Sequence, residues 1–155
     1  MRKAYDVLII GSGTAGQAAA SALNNSGLTV GMVEHSDRPG GTCALSGCQA
    51  KKWFYEGAEI IARSRHLEGI GITSPAIASW PQLREAKNRF TELVPDKTVE
   101  GFKNAGIEFI RGRARFVEQQ TIAVDAQQIA ARFIVIATGA IPMPLPIDGI
   151  DHAID

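Results

Sequence analysis

The residues best suited to chemistry are two cysteines, Cys43 and Cys48, which lie five positions apart and are the only cysteines in the chain. Thiols at this separation near a helix start can close a small ring if the first turn is distorted, and the positive end of a helix lowers a thiol pKa. The thiolate is the species that exchanges with a disulfide. The pair therefore indicates a redox-active dithiol, two buried thiols that fill a core, or half of a metal site.

The metal interpretation lacks ligands. A zinc site requires four, and the three histidines, His35, His66 and His152, are scattered rather than at ligand spacing. We therefore predict no metal site. In a reducing cytoplasm, which the absence of an export signal and the low cysteine count predict, a cysteine pair is more often catalytic or metal-binding than structural. This favours the redox dithiol over core-filling thiols.

A second candidate is the glycine-rich turn Gly11-Ser12-Gly13-Thr14-Ala15-Gly16. In this pattern the first glycine permits a tight turn, the second lets the backbone approach a pyrophosphate, and the third lets a helix pack on a strand. Free N–H groups at the helix start meet the phosphate charge. The competing interpretation is a purely structural tight turn.

Glu34 stands eighteen residues beyond the third glycine of this turn. At that position a carboxylate accepts hydrogen bonds from ribose hydroxyls and repels a 2′-phosphate. The turn and Glu34 together predict the adenosine half of FAD or NAD rather than NADP, and they do not choose between FAD and NAD. The alternative for Glu34 is a solvated surface charge.

The elements that position these residues begin with a β-α-β order. A continuous apolar run over 7–10, stopped by Gly11, is typical of a strand buried on both faces of a parallel sheet. An alanine-rich helix over 14–24 and a strand over 28–33 follow. This is a right-handed βαβ unit, which opens a doubly wound α/β fold.

The rest of the chain predicts two helices and four short strands. One helix begins near the cysteines and reaches Ser64, and another runs from an N-cap at Ser79 to a Gly106 cap, bent or broken before Pro95. The strands are expected over 107–110, 114–117, 121–124 and 133–137. The middle ones are expected to form an antiparallel meander, and the last a buried parallel strand.

Composition excludes several classes of partner. Sixteen basic residues balance sixteen acidic ones and are scattered, so we predict no nucleic-acid or membrane partner. The first apolar run, of four residues, is too short for a signal peptide or a membrane span. A hydrophobic content of 45% in 155 residues predicts one soluble domain. We place it in the cytoplasm.

The segment around the cysteines resembles the glutathione reductase, dihydrolipoamide dehydrogenase and mercuric reductase family, whose signature is G-G-T-C, four residues, C, three residues, K. The matching positions are Gly40, Gly41, Thr42, Cys43, Cys48 and Lys52. The resemblance extends from about Tyr5 to Gly149. It implies a Rossmann-like βαβ FAD-binding domain with a parallel sheet and an antiparallel β-meander. The resemblance therefore favours FAD over NAD as the dinucleotide that the glycine turn binds.

The resemblance also implies residue roles. Cys43 would be the interchange thiol, Cys48 the charge-transfer thiolate against the flavin, and Lys52 the cation beside the flavin's reducible nitrogen. The alternative for Lys52 is a solvated surface charge.

Two further segments resemble the family's cofactor contacts. Gly112–Phe116 resembles the family's adenine-contacting G-x-A-x-F segment, or is an ordinary strand. The A-T-G turn at 137–139 resembles the turn beside FAD. The implied cofactor-binding residues are Gly11, Gly13, Thr14, Ala15, Gly16, Glu34, Gly41, Thr42, Arg113, Ala114, Ala137, Thr138 and Gly139.

Two positions depart from the family. Ala50 stands where proline is common, so the backbone after Cys48 is expected to be less rigid. Ser21 stands where glutathione reductases place an arginine that faces glutathione. This weakens the prediction of glutathione as the substrate. Pro142, Pro146 and Gly149 suit a crossing out of the domain.

Family members are considerably longer than this chain. We therefore expect residues 1–149 to be the N-terminal part of an FAD-binding domain and 150–155 to start a linker to an NAD(P)-binding domain. The longer parent is predicted to be a homodimeric, dihydrolipoamide dehydrogenase-like enzyme that acts on a small-molecule or protein-bound disulfide or dithiol, and the chain alone is predicted to be inactive. The alternatives are a non-catalytic FAD- or dinucleotide-binding module, or a glutathione or mercuric reductase parent.

Overall fold

A computed structural model shows the protein as one mixed sheet with helices packed on it, and it describes residues 3–141, 143 and 145–152. The elements, in chain order, are β1 (Lys3–Ile10), α1 (Thr14–Asn25), β2 (Val30–Glu34), α2 (Gly41–Leu45), α3 (Cys48–His66), α4 (Trp80–Asn104), β3 (Glu108–Arg111), β4 (Ala114–Glu118), β5 (Thr121–Val124), β6 (Gln127–Ile136) and a short 3-10 helix (Ile150–His152).

The six strands form one sheet in the order β3-β2-β1-β6-β5-β4. β1 pairs in parallel with β2 and β6, and β2 pairs in parallel with β3. β5 pairs antiparallel with both β4 and β6. The α/β fold with a parallel sheet and a meander is therefore confirmed. The predicted strand over 133–137 is the second half of β6, whose first half belongs to the meander.

The core lies on both faces of β1. Val7 and Ile9 pack on one face with Ala20 of α1 and Phe102 of α4. Leu8 points to the other face, where it packs in a cluster with the meander. Because all three of these β1 side chains are at most 2% exposed, the strand is buried on both sides, as its continuous apolar run predicts.

The single helix predicted at the cysteines is two helices. The N–H groups of Ser46 and Gly47 both donate to the Thr42 carbonyl oxygen, at 3.0 and 2.6 Å, which closes α2. α3 then begins at Cys48. A Cβ at position 47 would lie 2.9 Å from the same carbonyl oxygen, so glycine is needed at this junction. The break places one cysteine on each helix.

Of the two alternatives predicted before Pro95, the break is wrong, because α4 runs without interruption from Trp80 to Asn104; the bend stays a prediction. α4 packs against α2, α3 and β3, and this packing offsets the hydrogen bond that a proline cannot make. The predicted cap at its end is confirmed. Gly106 has a φ of +73°, and the Ile107 N–H donates to the Phe102 carbonyl at 2.9 Å.

Within the described part of the chain, every helix falls short of the combined length and apolar character that crossing a bilayer requires.

Candidate functional site

The carboxyl ends of β1, β2 and β6 border a cleft of about 830 Å³. In doubly wound folds ligands bind at this edge of the sheet, and the volume lies within the ~300–1,000 Å³ typical of cofactor sites. Thirteen of the predicted site residues line it: Gly11, Gly13, Thr14, Ala15, Glu34, Gly41, Thr42, Cys43, Arg113, Ala114, Ala137, Thr138 and Gly139. The remaining predicted site residues, Gly16, Cys48 and Lys52, do not line the cleft.

The glycines of the turn differ in what requires them. A Cβ at Gly11 would collide with the Ala137 carbonyl oxygen, and one at Gly16 with the Gly11 carbonyl oxygen. A Cβ at Gly41 would collide with the Cα of Gly13. The chain's own backbone therefore requires glycine at positions 11, 16 and 41.

Gly13 is the exception. Its φ of −71° and ψ of −176° suit any residue. A Cβ there would meet only the Cα of Gly41, at an ordinary 3.6 Å. Glycine at 13 therefore leaves space in the cleft that the fold does not use. Such a space is what a closely approaching pyrophosphate needs, so these residues fit a dinucleotide.

Ser12, which the sequence analysis did not single out, connects the segments of the site. Its side chain is 0% exposed. Its Oγ donates to Glu34 Oε2 at 2.7 Å and accepts from the Gly40 N–H at 3.2 Å. The Gln17 Nε2 donates to the Ser12 carbonyl at 2.8 Å. Ser12 thus ties the glycine turn to the end of β2 and to the approach to α2. The glycine-turn pattern does not specify the residue at position 12, so the sequence carried no signal of that role.

Glu34 is held in place by hydrogen bonds from the chain. Burial raises its pKa, but hydrogen bonds from the N–H groups of Ser36, Ser12 and His35 and from the Ser12 hydroxyl outweigh burial, so the pKa lies below its ordinary value. The Ser12 and Ser36 donors are 2.7 to 2.9 Å from the carboxylate oxygens. A carboxylate accepts about four hydrogen bonds, so a ribose hydroxyl would share Glu34 with the turn.

The two cysteines are free thiols, with Cys43 half-buried on α2 and Cys48 exposed at the first residue of α3. Hydrogen bonding from the Cys48 side chain lowers the pKa of Cys43, and the Thr14 hydroxyl lowers it further. The same Cys48–Cys43 hydrogen bond raises the pKa of Cys48. The chain's own groups therefore favour the thiolate at Cys43 and keep the proton on Cys48.

Lys51, which the sequence analysis also missed, is a cation whose charge offsets part of the rise in the pKa of Cys48. The two residues are three positions apart on α3, which makes them neighbours on one helix face. Lys52 is exposed on the same helix. The three-residue spacing between Cys48 and Lys51 could have indicated this contact, but only if the start of the helix at Cys48 had been known.

Two backbone contacts close the cleft beside the glycine turn. The Gly112 N–H donates to the Glu34 carbonyl at 2.8 Å, which brings Arg113 and Ala114 beside β2. The Ala137 N–H donates to the Ile10 carbonyl at 2.8 Å, which sets the A-T-G turn against the glycine turn. Pro142, predicted at the crossing out of the domain, lies outside the described residues. Within those residues, no three His, Cys, Asp or Glu side chains form a group that could hold a metal ion.

Comparison with known proteins identifies related chains. The family model described as "Pyridine nucleotide-disulphide oxidoreductase" matches residues 5–155. A mercuric reductase from Staphylococcus aureus is 37% identical over 96% of this chain and 27% of its own length. A dihydrolipoyl dehydrogenase from Mycoplasma pneumoniae is 33% identical over 96% of this chain and 33% of its own length.

Among solved structures, the HOCl-induced flavoprotein disulfide reductase RclA from Escherichia coli superposes with a TM-score of 0.72 at 26% identity, covering 95% of this chain and 31% of that protein. The chain spans between a quarter and a third of the length of these relatives.

Proposed function

The chain belongs to the pyridine nucleotide-disulphide oxidoreductase family, and from that premise we propose that it is the FAD-binding part of an NAD(P)H-dependent flavoprotein disulfide reductase. In this proposal an electron pair passes between FAD and the Cys43–Cys48 pair. The observation that carries it is the single cleft in which the glycine turn, Glu34 and Cys43 meet.

FAD, when bound, supplies a flavin ring that takes an electron pair from a nicotinamide and passes it to a disulfide. The chain's own part is to hold the cofactor. The N–H groups at the start of α1 would bind the pyrophosphate, which the space above Gly13 admits. Glu34 would accept from the ribose, the backbone at Arg113 and Ala114 would meet the adenine, and the Gly41, Thr42 and A-T-G segments would line the route to the flavin.

The dithiol would do the exchange chemistry. Cys43 is proposed as the interchange thiol because hydrogen bonding favours its thiolate. Cys48 is proposed as the thiol that lies against the flavin, and Lys52 as a cation near the flavin's reducible nitrogen. The thiolate at Cys48 would have to be stabilised by groups beyond those of this chain, since the chain's own contacts keep its proton in place.

The parent protein is proposed to be longer. Residues 1–149 would form the N-terminal part of an FAD-binding domain, and 150–155 would lead to an NAD(P)-binding domain. The parent would be a cytoplasmic homodimer acting on a disulfide or dithiol. A dihydrolipoamide dehydrogenase-like parent stays a prediction, because the matched relatives include proteins of different names. The 155-residue chain alone is expected to bind FAD weakly and to have no catalytic activity.

The proposal is tested by titrating FAD into the purified chain and following the quenching of flavin fluorescence. Saturable quenching is expected from the unsubstituted chain and is expected to be lost in Gly13→Val, because the valine side chain fills the pyrophosphate space. Gly101→Val is the matched control, since a Cβ at Gly101 meets nothing within 4 Å. Equal quenching by the unsubstituted chain and Gly13→Val would overturn the assignment of the cleft.

A further inference from the structure

A second groove adjoins the dinucleotide cleft, between the cysteine-bearing helices and α4. Its volume is about 750 Å³. It shares Arg38, Leu45 and Ser46 with the cleft, so the two spaces are adjacent. Ser46 stands between the two cysteines in the chain. We call this second space the basic groove, because of the charges that line it.

Three cations line the basic groove, Arg38, Lys51 and Lys87, against one carboxylate, Glu92. In the described part of the chain no carboxylate forms an ion pair with any of the three, whereas Arg63, Arg89 and Arg132 each have one. A concave surface on which charges of one sign outnumber those of the other concentrates ions opposite to the excess charge. The basic groove therefore attracts anions.

The basic groove lies within one helical turn of the dithiol. Lys51 follows Cys48 by three positions on α3 and lines the groove. Between the cations lie apolar side chains, the half-buried Leu45 and Phe54 and the buried Ala50. An apolar floor bordered by cations suits a molecule with a short carbon stem and an anionic end.

We propose that the basic groove binds the anionic arm of the disulfide substrate, which is a disulfide with carboxylate or phosphate groups a few bonds from its sulfurs. This deepens the proposed function and rests on it, because it requires Cys43 to be the attacking thiol.

Only sulfur atoms react, and the Cys43–Cys48 dithiol supplies both electrons that reduce the substrate disulfide. The Cys43 thiolate attacks one sulfur of the substrate, the substrate S–S bond breaks, and one arm leaves as a thiolate with the electron pair. Cys48 then loses its proton to solvent and attacks the Cys43 sulfur, which releases the second arm as a thiolate. The Cys43–Cys48 disulfide forms, and the substrate gains two electrons.

The test uses the reduced full chain and three disulfides in which two methylene groups separate each sulfur from its end group. They are 3,3′-dithiodipropionate (anionic), bis(2-hydroxyethyl) disulfide (neutral) and cystamine (cationic). Loss of chain thiols is followed by mass spectrometry at pH 7 and low salt. Each rate is divided by the rate of the same disulfide with a small neutral thiol, which removes differences between leaving groups. The anionic disulfide is expected to react roughly ten-fold faster than the neutral one, and the cationic one slower.

Substitutions then locate the effect. The double variant Lys51→Gln, Lys87→Gln is expected to bring the anionic-to-neutral ratio near unity, and so is high salt, which screens exposed charges. Lys97→Gln, on the same helix but outside both lining sets, is expected to keep the ratio. A change in thiol reactivity alone would move all three disulfides together and leave the ratio unchanged.

Two failures are distinguishable. Equal normalised rates in the unsubstituted chain, or a ratio unchanged in the double variant, would overturn the basic groove while leaving the dithiol assignment intact. No reaction of Cys43 with any of the three disulfides would overturn the proposed function, and this inference with it.

Discussion

The two ends of the cleft are built differently. At the proposed nucleotide end, three glycine positions are dictated by backbone contacts, and Glu34 is held by three hydrogen bonds from Ser12 and Ser36. At the dithiol end, Cys43 is half-buried, Cys48 is exposed, and the helix that carries them is interrupted at Ser46–Gly47. The nucleotide end is thus preorganised by the chain. The dithiol end is left accessible, as the proposed exchange with other molecules requires.

The largest expected effect concerns the backbone-dictated glycines. Gly16→Ala is expected to lower the free energy of unfolding by at least about 2 kcal/mol, because its Cβ would collide with the Gly11 carbonyl oxygen. Gly13→Ala is expected to cost about 1 kcal/mol or less, because its Cβ makes an ordinary contact. Urea unfolding of both variants measures the difference. Equal losses would show that the two glycines do not differ in role.

A smaller effect is expected at Ser12. Ser12→Ala removes the hydroxyl bond to Glu34 and leaves the Gly40 N–H without its acceptor. A stability loss of about 1–2 kcal/mol is expected, with weaker FAD binding. In a Glu34→Gln background the further loss of FAD affinity from Ser12→Ala is expected to shrink, because Ser12 acts through Glu34. Additive losses of affinity would mean that Ser12 is only a packing residue.

At the dithiol end the expected effect is on reactivity rather than stability. Cys48→Ala removes the main hydrogen bond that lowers the pKa of Cys43. The rate of Cys43 alkylation at pH 7 is then expected to fall roughly three-fold, because less thiolate is present. Rates measured against pH should show the Cys43 midpoint moving upward in the variant. An unchanged midpoint would show that Cys48 does not set the reactivity of Cys43.

The smallest effect is expected away from both ends, at Asp6. Hydrogen bonds from the backbone and side chain of Thr29, with Arg132, lower its pKa from 3.8 to about 2. Its folded-state pKa is depressed, so its contribution to stability is present above about pH 4 and is lost as the pH falls toward 2. Asp6→Asn should reduce the dependence of the free energy of unfolding on pH between about pH 4 and pH 2. At pH values well above that window, the pH dependence of the free energy of unfolding should be the same in both proteins.

Local patterns in the sequence predicted the segments that meet at the glycine-turn end of the cleft, while the binding of a nucleotide there stays a prediction. The glycine turn, Glu34 at the end of β2 and the A-T-G turn all follow directly from strand ends, and the sheet brings them together. The roles of Ser12 and Lys51 were not predictable in this way. Ser12 acts through partners 22 and 28 positions away, and Lys51 depends on where α3 begins. The continuity of α4 through Pro95 depends on tertiary packing, which a local helix-breaking rule does not contain.

The most direct test of the shared cleft is whether FAD protects the cysteines. Alkylation of Cys43 and Cys48 is measured in the full chain at increasing FAD concentration, with ADP as the control that fills only the nucleotide end. The cleft predicts saturable slowing by FAD, little slowing by ADP, and loss of protection in Gly13→Val. Alkylation rates that stay constant while FAD binding saturates would contradict the claim that one cleft joins the nucleotide to the dithiol.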